Sequence, residues 1–371
     1  MRWWMALGWG IFLSVHAQVV RKVPLKTERR QLAVPALRPL AIVLEAPRAD
    51  VSPYVVEAMD TVRLVWDEPV EGEVSRFTFP VFIREGVDMI EVHSSPSTVL
   101  YFLYVPPLSA PVVTSGSGAG GPCDSPSWIA PSQWRAGLSP PTTKPVATPT
   151  HHVIVHHSAS VLSDSDYVKM IRAIYLFHTD IRKWDDIGYN FVIDPAGVLY
   201  QARDPQGVAA PDRIKGAHFC GKNSYTMGVC LLGHYQMQPP SSAAISTLLR
   251  LLTWKLHKEG LSPVDSLLHP PGSPTATWLP VIAPHRLGCA TACPGDSVAS
   301  RMEWIRFQVL DSLALCPVAG LRPLLQMKEG FPSGEWFDVA GRADGGMGWQ
   351  RHIRLHILWD GRSSVRKQWQ R

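Results

Sequence analysis

The sequence predicts an α/β domain with a central mixed β-sheet flanked by helices, preceded by a small β-rich domain and followed by a small β-rich tail. Three observations predict it. Short β-branched and aromatic runs broken by turn residues fill positions 30–105; strand and helix periods alternate from Val153 to Val309; strand alternation returns at Ile353–Leu358. The 371 residues suffice for two or three domains at roughly 150 residues each. Hydrophobic residues, at 46%, are ample for a core. A net charge of +5 without a long basic run gives no support for a nucleic-acid partner.

The first residues, Met1-Arg2, are followed by the apolar run Trp3 to Val15 and then His16-Ala17. A short positive start, an apolar stretch and a small residue form a signal peptide, with cleavage expected after Ala17. A membrane anchor would need about 20 apolar residues. The mature chain is therefore expected to be exported, without a stable membrane span, to the periplasm, cell surface or medium, and to act as a monomer.

Within residues 30–105, Thr61 to Trp66 alternates with period two, and Val74 to Ile83 and Thr98 to Val105 are rich in β-formers. A β-sandwich-like domain is expected there, with no catalytic constellation. Residues 106–127, which include Ser115 to Gly121, have the composition of a flexible linker, and Ser139 to Thr150 reads as a surface excursion.

Val153-Ile154-Val155 is a short buried strand that delivers His156 at its end. Ser163 to Asp166 offer N-caps to a helix carrying Tyr167, Met170, Ile171, Ile174 and Tyr175. Phe191-Val192-Ile193 and Val198-Leu199-Tyr200 read as strands around a turn, and Met227 to Leu232 as another. A long helix spans about Ser242 to Lys258, stopped by Gly260. Asp296 is expected to cap a last helix with the stripe Val298, Met302, Ile305 and Val309. A distinct tail begins after Cys316.

His156, His285 and Cys293 are the ligand types of a catalytic zinc site, which uses three protein ligands and leaves the fourth position to water. Singly, each has a blander explanation: a satisfied strand-end histidine, or half of a disulfide. Together they point to a hydrolase. Cys293 directly precedes the last helix, where nearby N–H groups favour thiolate. Tyr189 enters a strand and serves either as an oxyanion donor or as a wall residue. Of the remaining cysteines, Cys230 lies in an apolar run and reads as a small buried hydrophobe. Pairings among Cys123, Cys220, Cys289 and Cys316 stay open.

Five motifs in order now carry a resemblance. Ile129-Ala130-Pro131-Ser132-Gln133-Trp134, Val153 to Ala159, Asp186-Ile187-Gly188-Tyr189-Asn190-Phe191, Gly216-Ala217-His218 and His285 to Gly295 resemble the zinc amidases of the peptidoglycan recognition protein and phage lysozyme-type amidase family, over residues 128–318. The resemblance implies zinc held by His156, His285 and Cys293, with His157 pointing the other way. It implies catalytic roles for Tyr189 and Thr291, and a substrate groove lined by Trp184, His218 and Asn223. The implied reaction is hydrolysis of the amide between N-acetylmuramic acid and L-alanine in peptidoglycan, so the implied partner is peptidoglycan or its muropeptides.

The chain departs from that pattern by lacking paired cysteines at the first helix, and Cys220 and Cys289 are additions to it. Two alternatives are kept: a non-catalytic peptidoglycan-binding module, and a wall-targeting role led by the N-terminal domain. The tail, with Asp338 to Arg342 and its basic end, resembles over a short stretch the sorting domain of type IX secretion in Bacteroidota.

Overall fold

A computed structural model describes residues 19–47, 52–57, 60–67, 75–112, 120–162, 165–316 and three strands of the tail. The expected signal peptide lies outside the described residues, as do the possible caps Ser163 and Asp164. Among the described residues no helix is long and apolar enough to cross a membrane.

Among the described residues nine short strands come first: β1 (Val19–Pro24), β2 (Arg29–Ala33), β3 (Leu40–Ala46), β4 (Tyr54–Glu57), β5 (Asp60–Arg63), β6 (Arg76–Phe77), β7 (Val81–Phe82), β8 (Met89–His93) and β9 (Val99–Tyr104). They form two antiparallel sheets, β1-β9-β3-β6 with β7 also on β3, and β2-β8-β4-β5. Alternate residues fill the space between the sheets: Leu40, Ile42, Leu44, Ile90, Val92, Leu100 and Phe102. The sandwich is thus present, but β1 and the start of β2 precede residue 30. Those strands bury only scattered residues, so they lack the apolar run that marks the others.

The outer faces of β3 and β9 are covered too. Ala41, Val43, Tyr101 and Leu103 share a core with Met170, Ile174 and Phe177 of the α/β region. The described residues from Val19 to Cys316 consequently belong to one compact unit. The segment expected as a linker is held at both ends: the Pro106 carbonyl accepts from Arg172 Nε at 2.9 Å, and Cys123 is bridged to Cys316.

The α/β region contains α1 (Pro131–Trp134), β10 (His152–His157), α2 (Tyr167–Leu176), β11 (Phe191–Ile193), β12 (Leu199–Gln201), β13 (Thr226–Leu231), α3 (Ser242–Glu259), β14 (Ser266–His269), β15 (Thr277–Pro280), β16 (Ile282–Pro284), α4 (Asp296–Ala299) and α5 (Met302–Leu313). Its central sheet runs β12-β11-β13-β10-β16. β11, β13, β10 and β16 are parallel and β12 is antiparallel, so the sheet is mixed as expected.

Period two divides the sheet's residues. Val153, Val155, Phe191, Val229 and Leu231 face a core shared with α3 and α5. Ile154 and His156 face the opposite side. α3 is capped by Ser241, whose hydroxyl accepts from Ala244 N–H, and stopped by left-handed Gly260.

One expectation at the last helix is corrected. Two helices replace it, and Asp296 is the first residue of α4 with Gly295 at the cap. The Asp296 carboxylate is instead taken by Arg286 Nη1, at 2.7 Å, and by Gln236. The predicted stripe nevertheless survives, with Val298, Met302, Ile305 and Val309 all buried.

The described strands of the tail belong to a second unit. Its three antiparallel strands are β17 (Trp336–Arg342), β18 (His352–Trp359) and β19 (Val365–Trp369).

Candidate metal centre and cleft

His156, His285 and Cys293 converge. Each offers a ligand atom, and these atoms lie within 4.8 Å of one another. The strand order explains the meeting. β10 and β16 are parallel neighbours, so the chain leaving β16 places His285 beside the end of β10 that carries His156. The two imidazole centroids are 4.2 Å apart. Cys293 Sγ lies 3.7 Å from His156 Nδ1 and accepts the His157 N–H at 3.3 Å. The sulfur's N–H donor is therefore the central strand rather than a long helix, since α4 spans only four residues.

The hydrogen bonds around His156 fix its tautomer. Thr226 Oγ1 donates to the Asn223 carbonyl at 2.8 Å, so it accepts from His218 Nε2, 3.3 Å away. With its proton on Nε2, His218 accepts at Nδ1 from His156 Nε2, at 3.0 Å. His156 Nδ1 is left with a lone pair facing Cys293 Sγ. That is the state a metal-binding imidazole needs, held by a partner histidine. Burial pushes His156 and His218 well below the ordinary imidazole range, with neighbouring imidazoles adding to the effect, so both stay neutral. The donor set fits a zinc-type ion: two neutral imidazoles and a sulfur, all buried.

His157 points to the other face, where its Nδ1 accepts the Tyr235 N–H at 3.1 Å. Burial lowers it to about 3. It belongs to the helix-covered side of the sheet, in accord with period two.

Tyr189 is buried, with its ring centroid 5.2 Å from that of His156. Its backbone carbonyl accepts from Arg203 N–H. Next to it, Asn190 Oδ1 accepts from Gly228 N–H at 2.8 Å and its Nδ2 donates to the Ile214 carbonyl at 2.7 Å. Asp186 accepts the N–H groups of Ile187 and Asp204, and burial raises its carboxyl to about 6. Thr291 Oγ1 accepts the Cys293 N–H at 2.9 Å, which shapes the loop presenting the sulfur.

Trp184, His218 and Asn223 line one cleft together with Tyr189 and His285. His218 both lines the cleft and holds His156. Asn223 Oδ1 accepts the N–H groups of His218 and Phe219, shaping the loop. Sequence reasoning missed His178, Arg182 and Asp67, which line the same cleft. His178 sits in a π-helical turn continuing α2, accepts Gly188 N–H at Nδ1, and stacks on Trp184 at 4.5 Å. Its spacing of three from Tyr175 on the apolar face of α2 was the available signal. Asp67 carried none.

A profile of the N-acetylmuramoyl-L-alanine amidase family matches residues 146–296, a stretch that contains all three candidate ligands. This region belongs to the family of peptidoglycan recognition proteins and N-acetylmuramoyl-L-alanine amidases. Among relatives, the N-acetylmuramoyl-L-alanine amidase of Mus musculus is 29% identical over 185 residues, covering 48% of this chain and 31% of that protein. Peptidoglycan-recognition protein LB of Drosophila melanogaster is 28% identical over 180 residues, covering 47% of this chain and 68% of that one. The chain thus spans under a third of the mouse amidase.

The solved Drosophila PGRP-LB aligns at a TM-score of 0.38 and 24% identity, over 47% of this chain and 92% of its own. PGRP-LE in complex with tracheal cytotoxin aligns at 0.39 and 23%, over 48% and 92%. Both matches leave out about half of the chain. In this chain, Cys220 and Cys289 form a disulfide linking the cleft loop to the loop of His285 and Cys293. Cys230 is buried and takes part in neither disulfide, as expected.

Proposed function

We propose that this chain is a zinc-dependent amidase that hydrolyses the bond between N-acetylmuramic acid and L-alanine in peptidoglycan. The observation that carries this reading is the convergence of His156, His285 and Cys293 within 4.8 Å, beside Tyr189 and at the edge of a cleft. Zinc, when bound, supplies a Lewis acid and a water of lowered pKa. The protein's own residues supply the rest. His218 keeps His156 in the binding tautomer. The Tyr189 phenol would donate to the oxygen that gains charge as the amide carbonyl is attacked, with the Thr291 hydroxyl as a second donor. Trp184, His218 and Asn223 hold the peptide.

Export is part of the proposal. Two disulfides, Cys123–Cys316 and Cys220–Cys289, suit an oxidising compartment outside the cytosol. The tail is proposed as the sorting element.

The test is Cys293→Ala. The variant is expected to fold, to carry little zinc by metal analysis, and to release no stem peptides from purified sacculi. Normal turnover by Cys293→Ala would remove the site assignment. A wild-type chain supplied with zinc that binds muropeptides and cleaves none would establish the binding-module alternative.

A further inference from the structure

A second set of metal-binding donors stands beside the first. Cys220, His285 and Cys289 each offer a ligand atom, and these atoms lie within 4.8 Å of one another. His285 belongs both to this triad and to the triad with His156 and Cys293. The two sulfurs are joined in the Cys220–Cys289 disulfide, so neither is a thiolate while the bond stands.

The bond is within reach of a reductant, since Cys220 is half-buried and lines the cleft. Other contacts hold the two segments together without it. The Phe219 ring packs so closely under Gly288 that a Cβ there would overlap it. Phe219 also shares a small core with Ile154, Leu279, Ala283 and Cys289. His269 of β14 steadies the cleft loop by donating from Nε2 to the Lys222 carbonyl at 2.9 Å. The two cysteines are therefore kept near His285 by packing as well as by their own bond.

We propose that Cys220, His285 and Cys289 form a second site for a zinc-type divalent ion, latent in the oxidised chain and assembled on reduction. A dithiol reductant attacks one sulfur to give a mixed disulfide, and its second thiol then releases the other. Two thiols are left on the protein and one disulfide in the reductant. The ion displaces the two thiol protons as it binds. Two thiolates and an imidazole form a softer and more negative donor set than two imidazoles and one thiolate, which favours capture of the ion. Because His285 is common to both triads, an ion held here takes a ligand from the first. On the amidase reading above, cleavage then falls; only this consequence rests on that reading, and the site itself does not.

The test uses the full-length Cys293→Ala chain, in which the first triad has lost its sulfur. Oxidised, it is expected to carry little zinc. It is then reduced with a dithiol, freed of the reagent by gel filtration without oxygen, and supplied with zinc. A gain of about one ion per chain is expected, read by metal analysis and chelator competition, with far-UV circular dichroism following the fold. Adding Cys220→Ser and Cys289→Ser is expected to abolish the gain. That control is reduced in the same way, so it also separates the effect from opening of the Cys123–Cys316 bond. No gain on reduction would overturn the proposal, as would a gain that persists without Cys220 and Cys289, or a chain that unfolds when reduced. Because the readout is metal content, a wild-type chain that cleaves nothing sinks the amidase reading and leaves this result standing.

Discussion

His218 Nδ1 lies 3.0 Å from His156 Nε2, and the hydroxyl of Thr226 lies on the far side of the same imidazole. A residue of the cleft lining is therefore also the partner that fixes the protonation of a candidate ligand. His218→Ala is expected to leave a folded chain whose zinc affinity falls about 10- to 100-fold, the usual loss when such a partner is removed. Competition with a chromogenic chelator measures it. Unchanged affinity would reduce His218 to a wall residue.

Gly228 gives an independent route to the same effect. A Cβ there would lie 2.6 Å from the His218 ring, so the ring must move. Gly228→Ala is expected to weaken zinc binding as His218→Ala does, and to lower stability by about 1–3 kcal/mol through overpacking. Chelator competition and thermal unfolding read the two effects separately.

Tyr189→Phe removes one hydroxyl from a ring that otherwise keeps its packing. Zinc content is expected to stay at the wild-type level while the rate of amide cleavage falls about 100- to 1000-fold. Kinetics on a defined muropeptide decide between an oxyanion donor and a wall residue.

The Cys220–Cys289 bridge encloses a long loop and ties two segments of the site. Replacing both cysteines with serine is expected to cost roughly 2–4 kcal/mol of stability and to weaken muropeptide binding. Denaturant unfolding and calorimetry test the pair, and a wild-type affinity in the variant would show that the bridge serves stability alone.

His152 begins β10 with its Nδ1 donating to the Pro280 carbonyl at 3.0 Å, while its Nε2 is buried without a hydrogen-bond partner. Burial lowers its pKa to about 4. Its folded pKa is below the unfolded value near 6.5, so the unfolded chain binds the proton first. Stability is expected to fall as pH drops from about 6.5 toward 4, and His152→Gln should flatten that limb in denaturant titrations.

Much of the candidate metal centre was legible because it depends on local rules. Period two in β10 separates His156 from His157, and the ligand types of His285 and Cys293 are visible one by one. α3 was readable from its stripe and from Gly260. The hairpin of β14 and β15 was missed, since Leu267 and Leu279 are scattered among prolines and polar residues. The Asp67–Arg182 pair could not be read. It depends on how the outer face of β3 docks against α2, and no local pattern encodes a contact across 115 positions.

The Cys123–Cys316 bond joins the start of the α/β region to its end, across 193 positions. Everything between the two sulfurs forms a covalent ring. A protease that nicks an exposed turn inside that ring opens it without separating the pieces, so the three candidate ligands stay on one molecule after the cut. Damage of that kind need not end the chain's service.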